Sequence, residues 1–291
     1  MSRNDLCPCG SGKKWKKCHY PNNPIVTLNQ DLRQKYKKQF QVHLKTDEEI
    51  DKIRKACQLA ASILDQLVQY AKVGVKLIEL DTLSAQLHKK AGATPAPLGY
   101  GYPPFPRTIC TSLNEVICHG IPDETVLKQG DILNIDVTSI LDGYYGDCSK
   151  MVCIGAISEE KQLVVDVAKK ALDASIAILK PGIPVSDIGK TIEDIAKAYP
   201  VSVVNEFVGH GVGCDFHENP QIPHHYNSVN IPLAPGMIFT IEPMINGGAK
   251  RSVVDKEDKW TARTIDGKAS AQWEHTVLIT ETGYEILTVN G

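Results

Sequence analysis

Long apolar segments are missing from this 291-residue sequence, in which no uninterrupted run approaches the roughly 20 residues of a membrane-spanning helix. The N-terminus lacks the apolar stretch of a secretory signal. The sequence contains nine cysteines, which is an odd number, and they are scattered along the chain. An odd number without an export signal predicts reduced thiols and a cytoplasmic location. The 42% of hydrophobic residues excludes a disordered chain and predicts a large core.

Net charge is also low, at −2 for the whole chain, but it is unevenly divided. Residues 1–45 hold ten lysines and arginines against Asp5 and Asp31, a net +8, so residues 46–291 carry −10. A basic extension in front of an acidic body favours contact with nucleic acid or another acidic surface. The alternative is a solvated, lysine-rich tail.

The first 22 residues contain two pairs of metal-ligand residues, separated by eight residues that include Gly10-Ser11-Gly12. The four ligands are Cys7, Cys9, Cys18 and His19. This set suits a closed, tetrahedral zinc site, and zinc would supply the folding energy that so short a segment cannot obtain from a core. The segment resembles the SEC-C zinc motif. We therefore predict a structural zinc motif over residues 1–22 and a basic linker over residues 23–45.

The body, residues 46–291, begins with a helix capping box at Thr46–Glu49 and contains an internal repeat. The turn sequence at residues 72–75 returns at 180–183, each time after an amphipathic helix. The strand sequence at residues 127–136 returns at 233–242. Two matches in the same order indicate a duplication, so we predict an α+β domain with pseudo-twofold symmetry. A site between its halves would take equivalent residues from both.

Four acids lie in apolar segments that are predicted strands. Asp136 and Asp147 flank a turn at Asp142-Gly143, which places them on adjacent strands. The repeat makes Glu242 the counterpart of Asp136, and Glu274 then corresponds to Asp147. Converging carboxylates repel each other unless cations lie between them, and this number of oxygen ligands indicates two divalent metal ions. The alternative is a set of salt bridges with lysines and arginines of the body.

Three histidines could complete such a site. His210 lies among glycines that permit close approach of the backbone, and residues 114–120 and 216–220 contribute His119 and His217. Each histidine alone is more often a structural residue. Beside the four acids, a role in the site is the better interpretation.

Six short motifs carry a family resemblance that extends from about residue 46 to the end of the chain. They are residues 110–122 (CTSLNEVICHGIP), 134–137 (NIDV), 146–150 (GDCSK), 209–211 (GHG), 240–244 (TIEPM) and 271–276 (AQWEHT). In these motifs the sequence resembles the type I methionine aminopeptidases of peptidase family M24, which have the pita-bread fold.

The resemblance implies a role for each matching residue. The metal ligands would be Asp136, Asp147, His210, Glu242 and Glu274, holding two ions of Co, Mn, Fe or Zn. Water activated by the metal would attack the carbonyl after an N-terminal methionine, with Glu242 also moving the proton. His119 would contact the substrate and the leaving nitrogen, and His217 would stabilise the oxyanion. Asn134 and Ser270 match positions that line a monovalent-cation site.

A pocket for the methionine side chain is implied by the same resemblance. Besides His119 and His217, its members would be Tyr100, Phe105, Cys110, Phe216 and Trp260, and aromatic rings with a sulfur suit a thioether. The segment Gly99–Arg107 is about two residues longer than the family pattern. The sequence therefore leaves open whether Tyr102 or Phe105 forms the pocket wall.

The implied activity is removal of the initiator methionine from nascent polypeptides whose second residue is small. The basic extension would then dock the enzyme near the ribosome, and we expect a monomer without a membrane partner. Two alternatives remain at this point. One is an X-Pro peptidase of the same fold, and the other is a non-catalytic pita-bread module used for interaction.

Overall fold

The computed structural model describes Lys14 and residues 30–289. Five helices lie in this part of the chain. They are α1 (Gln30–Phe40), α2 (Asp47–Tyr70), α3 (Leu77–Ala91), α4 (Glu159–Ala177) and α5 (Ser186–Ala196). Helix α2 begins with the predicted capping box, in which Thr46 and Glu49 each bind the other's backbone N–H, and Ser158 caps α4. None of the helices in these residues has the length and apolar character to cross a membrane.

Fifteen short and long strands accompany the helices in the described residues. They are β1 (Thr94–Pro95), β2 (Cys110–Leu113), β3 (Val116–Cys118), β4 (Ile132–Leu141), β5 (Tyr144–Cys153), β6 (Ser202–Val203), β7 (Gly209–Gly211), β8 (Glu218–Ile222), β9 (Ile238–Ile241), β10 (Met244–Asn246), β11 (Ser252–Val254), β12 (Ala262–Thr264), β13 (Ser270–Gln272), β14 (His275–Ile279) and β15 (Tyr284–Ile286). All their ladders are antiparallel, which fits an α+β domain.

Two sheets carry the halves of the repeat. In the first, β4 pairs along its whole length with β5, and β2 and β1 also pair with β4. In the second, the strand order is β15-β14-β9-β7-β8. Two smaller sheets, β13-β10-β6 and β11-β12-β3, complete the β-structure of the described residues. The β4–β5 hairpin of the first half thus corresponds to the β9–β14 pair of the second.

The predicted duplication is confirmed by equivalent backbone hydrogen bonds in the two halves. The N–H of Gly74 donates to the carbonyl of Leu127 over 2.9 Å, and the N–H of Gly182 donates to Leu233 over 2.8 Å. Gly74 and Gly182 also share a left-handed conformation, with φ of 91° and 92°. Only glycine adopts this backbone without strain. The two copies therefore use the same turn to place the helix pair against the strands.

Each half packs its helices on one face of its strands. In the first half, α2 lies against β4 and β5. Leu133, Ile135 and Val137 of β4 are fully buried in a cluster with α2 side chains. Each such side chain contributes about 1.5–3 kcal/mol when it is removed from water. Because side chains alternate along a strand, this packing turns Asp136 to the opposite face, toward the second half.

The segment before the body differs from the linker predicted over residues 23–45. Its described part, from Gln30 onward, forms α1 and packs on the core of the second half. The buried apolar residues are Tyr36, Val42 and Leu44. The N–H of Lys45 donates to the carbonyl of Gly236 over 2.8 Å. The lysine-rich composition of this segment concealed its few apolar contacts, and residues 30–45 belong structurally with the body.

Candidate active site

The hairpin β4–β5 positions the first two acids. Its register pairs Asp136 with Ser149 and Thr138 with Asp147, so the two acids are diagonal neighbours on one face rather than direct opposites. Thr138 donates its hydroxyl to Asp147 Oδ1 over 2.8 Å. One carboxylate oxygen each of Asp136, Asp147 and Glu274 lie within 4.8 Å of one another. Three of the four predicted acids therefore meet at one point.

The two acids of the second half lie beside strands rather than within them. Glu242 directly follows β9, and Glu274 falls between β13 and β14, where its backbone bridges to Ser149 of β5. Glu274 was expected within a strand, and the structure instead places it at a break between two strands. The backbone between β13 and β14 contacts the first half, because Glu274 N–H donates to the Ser149 carbonyl over 3.2 Å.

His210 of β7 supplies a nitrogen to the same cluster. Its Nδ1 lies 3.0 Å from the carbonyl of Gly211, so Nδ1 carries the proton and Nε2 keeps its lone pair. Nε2 is 3.8 Å from Asp147 Oδ2 and 3.7 Å from Glu242 Oε1. Burial lowers the pKa of His210 to about 3, so the ring is neutral and cannot balance the acids. A lone pair facing two carboxylates is the arrangement of a metal ligand.

The electrostatics of the cluster test whether metal ions fit it. Burial, together with the neighbouring acids, raises the pKa of Asp136 and of Glu274 well above the usual range. Oε2 of Glu274 is buried without a hydrogen-bond partner in the described residues. Within those same residues no lysine or arginine pairs with any of the four acids, which excludes the salt-bridge alternative there. Five hard or borderline ligands without a counter-charge fit divalent cations.

A ring of polar side chains, which the sequence did not single out, fixes the ligands. Glu242 Oε1 accepts from the Thr240 hydroxyl over 2.7 Å, and its Oε2 accepts from Gln272 Nε2 over 3.0 Å. Glu242 N–H donates to Nε2 of the buried His224 over 3.2 Å. Such partners orient ligand carboxylates. The period-two pattern places Thr240 and Gln272 near the acids, and is the signal that could have indicated them.

Aromatic rings line one side of a cavity of about 250 Å³ next to the cluster. The ring of Tyr100 lies 4.9 Å from Phe216 and 5.2 Å from His217, and its hydroxyl is 2.8 Å from His217 Nδ1. The rings of His217 and His210 are 4.2 Å apart. Tyr145, which the sequence analysis did not name, stacks on Phe216 at 6.0 Å. This wall therefore connects directly to His210, the predicted nitrogen ligand.

The remaining predicted pocket residues form a second group. The ring of Trp260 lies 5.4 Å from Phe105 and 6.1 Å from His119. Phe105 is buried whereas Tyr102 is 96% exposed, so Phe105 occupies the packed position that the sequence left undecided. His119 has a left-handed backbone, with φ of 57°, and burial lowers its pKa to about 4. Phe207, at 5.5 Å from His119, completes the group and was not foreseen.

The other predicted residues lie close to the acids or outside the described residues. Cys110 of β2 pairs with Asp136 across the ladder and so borders the carboxylates. Asn134 Oδ1 and Ser270 Oγ are buried oxygens without partners in the described residues, which suits the expected monovalent cation. The zinc-motif residues Cys7, Cys9, Cys18 and His19 lie outside the residues that the structure describes.

Comparison with known proteins agrees with this geometry. The sequence matches metallopeptidase family M24 over residues 51–281 and the SEC-C motif over residues 3–21, which confirms both resemblances. Methionine aminopeptidase from Chlamydia muridarum is 60% identical over 289 residues, covering 99% of each chain.

Solved structures extend the comparison to the fold. The crystal structure of methionine aminopeptidase from Rickettsia prowazekii covers 85% of this chain and 100% of its own, with a TM-score of 0.82 and 41% identity. X-Pro aminopeptidase from Thermotoga maritima, at 22% identity and a TM-score of 0.67, covers 89% of this chain and 65% of its own and shares the fold alone. These neighbours confirm the pita-bread architecture. The chain therefore belongs to metallopeptidase family M24 and, within that family, to the methionine aminopeptidases.

Proposed function

We propose that this enzyme removes the N-terminal methionine from polypeptides whose second residue is small. The observation that carries the proposal is the meeting of five predicted ligands beside an aromatic cavity. In the described residues these ligands have no lysine or arginine partner. The 60% identity with a methionine aminopeptidase over nearly the whole chain supports the same substrate class.

The cofactor in this proposal is a pair of divalent cations, Co, Mn, Fe or Zn. Asp136, Asp147 and Glu274 would hold both, and His210 and Glu242 would complete one of them. Such a pair supplies acidification of a water molecule and polarisation of the scissile carbonyl. The buried oxygens of Asn134 and Ser270, which have no hydrogen-bond partner in the described residues, would hold a monovalent cation.

In this proposal Glu242 moves a proton. Its two oxygens already accept from Thr240 and Gln272, which keeps the carboxylate in one orientation while burial and Asp147 raise its pKa. A carboxylate with a raised pKa accepts a proton near neutral pH more readily than an exposed one. Glu242 would take the proton of the attacking water and deliver it to the leaving nitrogen.

In this proposal two neutral histidines, His119 and His217, bind the reacting amide. The pKa of His119 is low, so its ring donates an N–H without adding charge. When the Tyr100 hydroxyl donates to His217 Nδ1, the proton of His217 resides on Nε2 and is available to an oxyanion. The rings of Tyr100 and Phe216 on one side, and of Phe105 and Trp260 on the other, would enclose the methionine side chain.

We expect the purified, Mn- or Co-loaded protein to release methionine from a Met-Ala peptide and to leave an Ala-Pro peptide intact. Mass spectrometry of both peptides after incubation measures this. Glu242→Gln, which keeps the shape of the side chain, is expected to be inactive because its amide cannot carry the proton. Cleavage of Ala-Pro alone would replace the proposal with X-Pro peptidase activity. Cleavage of neither peptide by a metal-loaded sample would contradict the proposed substrate, and an inactive sample that binds no divalent metal would support the non-catalytic alternative.

The N-terminal extension carries a second proposal about location and partners. We propose that Cys7, Cys9, Cys18 and His19 bind structural zinc, and that the basic residues around them dock a cytoplasmic, monomeric enzyme at the ribosome. The SEC-C match and the +8 charge of residues 1–45 support this. Docking there would bring the site to nascent chains.

Deletion of residues 2–29 is expected to abolish co-sedimentation with ribosomes and to leave cleavage of a free Met-Ala peptide unchanged. The deletion ends before α1, because residues 30–45 pack on the body. Sucrose-gradient sedimentation at low and at high salt measures binding, and salt should release the full chain if the contact is electrostatic. Equal sedimentation of the two proteins would contradict the docking.

A further inference from the structure

A second group of metal-ligand side chains meets away from the carboxylates. His43 Nε2 lies 3.0 Å from Glu49 Oε1, and Cys214 Sγ lies 3.8 Å from the same oxygen. One ligand atom of each residue lies within 4.8 Å of those of the other two. We propose that His43, Glu49 and Cys214 form a binding site for one borderline-soft divalent cation such as Zn²⁺.

The fold creates this three-residue cluster from three separate segments. His43 lies in the connection between α1 and α2, Glu49 lies in the first turn of α2, and Cys214 lies in the loop after β7. None of the three belongs to the active-site residues described above. The cluster would therefore be a new site rather than an extension of the carboxylate centre.

Two of the three ligands are held in place before a cation arrives. Glu49 Oε2 accepts from the N–H of Thr46 over 2.6 Å in the capping box, which leaves Oε1 facing His43 and Cys214. The N–H of Cys214 donates to Glu218 Oε1 over 2.7 Å. Fixed ligand orientation is what outer partners provide at metal sites.

The chemistry of the three-residue cluster matches zinc in type and charge. Imidazole, thiolate and carboxylate are all zinc ligands, and one thiolate with one carboxylate balances a divalent ion. The His43 side chain is 44% exposed, so water can take the fourth tetrahedral position. The site would thus be half-open to solvent and able to exchange its ion.

Binding of the cation requires loss of one proton. Burial raises the pKa of Cys214 to about 11, so the free side chain is a thiol at neutral pH. The S–H bond breaks, a metal–sulfur bond forms, and the proton passes to solvent with no change of oxidation state.

The position of Cys214 gives the site a consequence for the enzyme. Phe216 and His217, two and three residues farther on, form the aromatic wall of the cavity. A cation that links Cys214 to the start of α2 would restrain the loop that carries this wall. The site would act as a clip between the N-terminal connection and the rim of the substrate pocket.

Titration of the full-length, Mn-loaded enzyme with Co²⁺ tests the site without any substrate. A cysteine ligand gives a near-ultraviolet thiolate-to-Co²⁺ absorption, whereas the carboxylate and histidine ligands of the active site give none. We expect the band of wild type to exceed that of Cys214→Ser by the contribution of one thiolate, because the thiolates of the N-terminal zinc motif contribute equally to both proteins. Cys153→Ser is the matched control, because Cys153 is also a free and accessible thiol but lies outside the cluster.

His43→Ala keeps the thiol and removes an exposed ligand, so it tests the site even if Cys214→Ser fails to fold. We expect it to weaken Co²⁺ binding about tenfold or more. Identical spectra and affinities in wild type, Cys214→Ser and His43→Ala would overturn the proposal, leaving a hydrogen bond between His43 and Glu49. Because the readout is spectroscopic, that result would not affect the proposed peptidase activity.

Discussion

Replacing Glu274 by Gln is expected to remove the activity and, at the same time, to stabilise the metal-free protein. The first effect follows because the amide no longer supplies charge to the metal site. Several kcal/mol of transition-state stabilisation depend on that site, and about 4 kcal/mol corresponds to a roughly 1,000-fold loss in kcat/KM. Peptide cleavage under metal saturation measures this loss.

The gain in stability of the metal-free protein follows from the repulsion between the four carboxylates when no cation lies between them. Glu274 is 2% exposed, its Oε2 has no partner among the described residues, and Asp136, Asp147 and Glu242 face it. Burial of an unsatisfied group costs about 1–3 kcal/mol, and more if it is charged. Removal of one charge at constant shape is therefore expected to raise the free energy of unfolding of the chelator-treated protein by about that amount.

Thermal unfolding with chelator and with excess Mn²⁺ separates the two effects. Wild type is expected to gain more stability from Mn²⁺ than Glu274→Gln, because tighter binding to the native state gives a larger shift. Glu281→Gln is the matched control, since Glu281 is an exposed acid on the turn between β14 and β15. A chelated Glu274→Gln protein less stable than chelated wild type would show that Glu274 is not repelled by its neighbours.

The acids could be located from the sequence because simple rules place them. Period-two alternation sends Asp136 and Asp147 to one face, and the repeat then relates Glu242 to Asp136. The strand break at Glu274 could not be predicted, since it depends on the contact with Ser149 in the other half. Periodicity reports on one strand at a time and carries no information on how two sheets meet.

The pocket and the N-terminal segment show a different limit. Whether Tyr102 or Phe105 lies inside depends on the course of one loop, and only the structure places Phe105 against Trp260. The role of Lys45 is invisible in the sequence, where it ends a lysine-rich run. Its partner lies more than 170 residues farther along the chain. Long-range pairs of this kind are decided by tertiary packing.

Lys45 and Glu218 form a buried ion pair that connects the N-terminal segment to the active-site loop. The Lys45 side chain is 1% exposed and that of Glu218 is 12% exposed. Glu218 Oε1 also accepts from the N–H groups of Cys214 and Asp215, over 2.7 and 3.0 Å. The pair thus fixes the start of the loop that carries Phe216. Loss of Lys45 would leave a carboxylate buried with only backbone partners.

Lys45→Met is therefore expected to lower the free energy of unfolding by about 3–5 kcal/mol, the usual cost of removing one partner from a buried pair. Lys52→Met is the control, because Lys52 pairs with Glu48 at the surface and an exposed pair contributes at most about 1 kcal/mol. Urea unfolding measures both. In Lys45→Met we also expect kcat/KM for a Met-Ala peptide to fall, since the loop carries Phe216 of the pocket wall and His217.

A double-mutant cycle with Glu218→Gln distinguishes the ion pair from simple loss of packing. The Gln side chain keeps an oxygen for the N–H groups of Cys214 and Asp215 but carries no charge for Lys45. If the charges act on each other, the double variant will be more stable than the sum of the two single losses predicts. Strict additivity, or a cost for Lys45→Met no larger than that for Lys52→Met, would mean that the N-terminal segment holds the loop through apolar contacts alone.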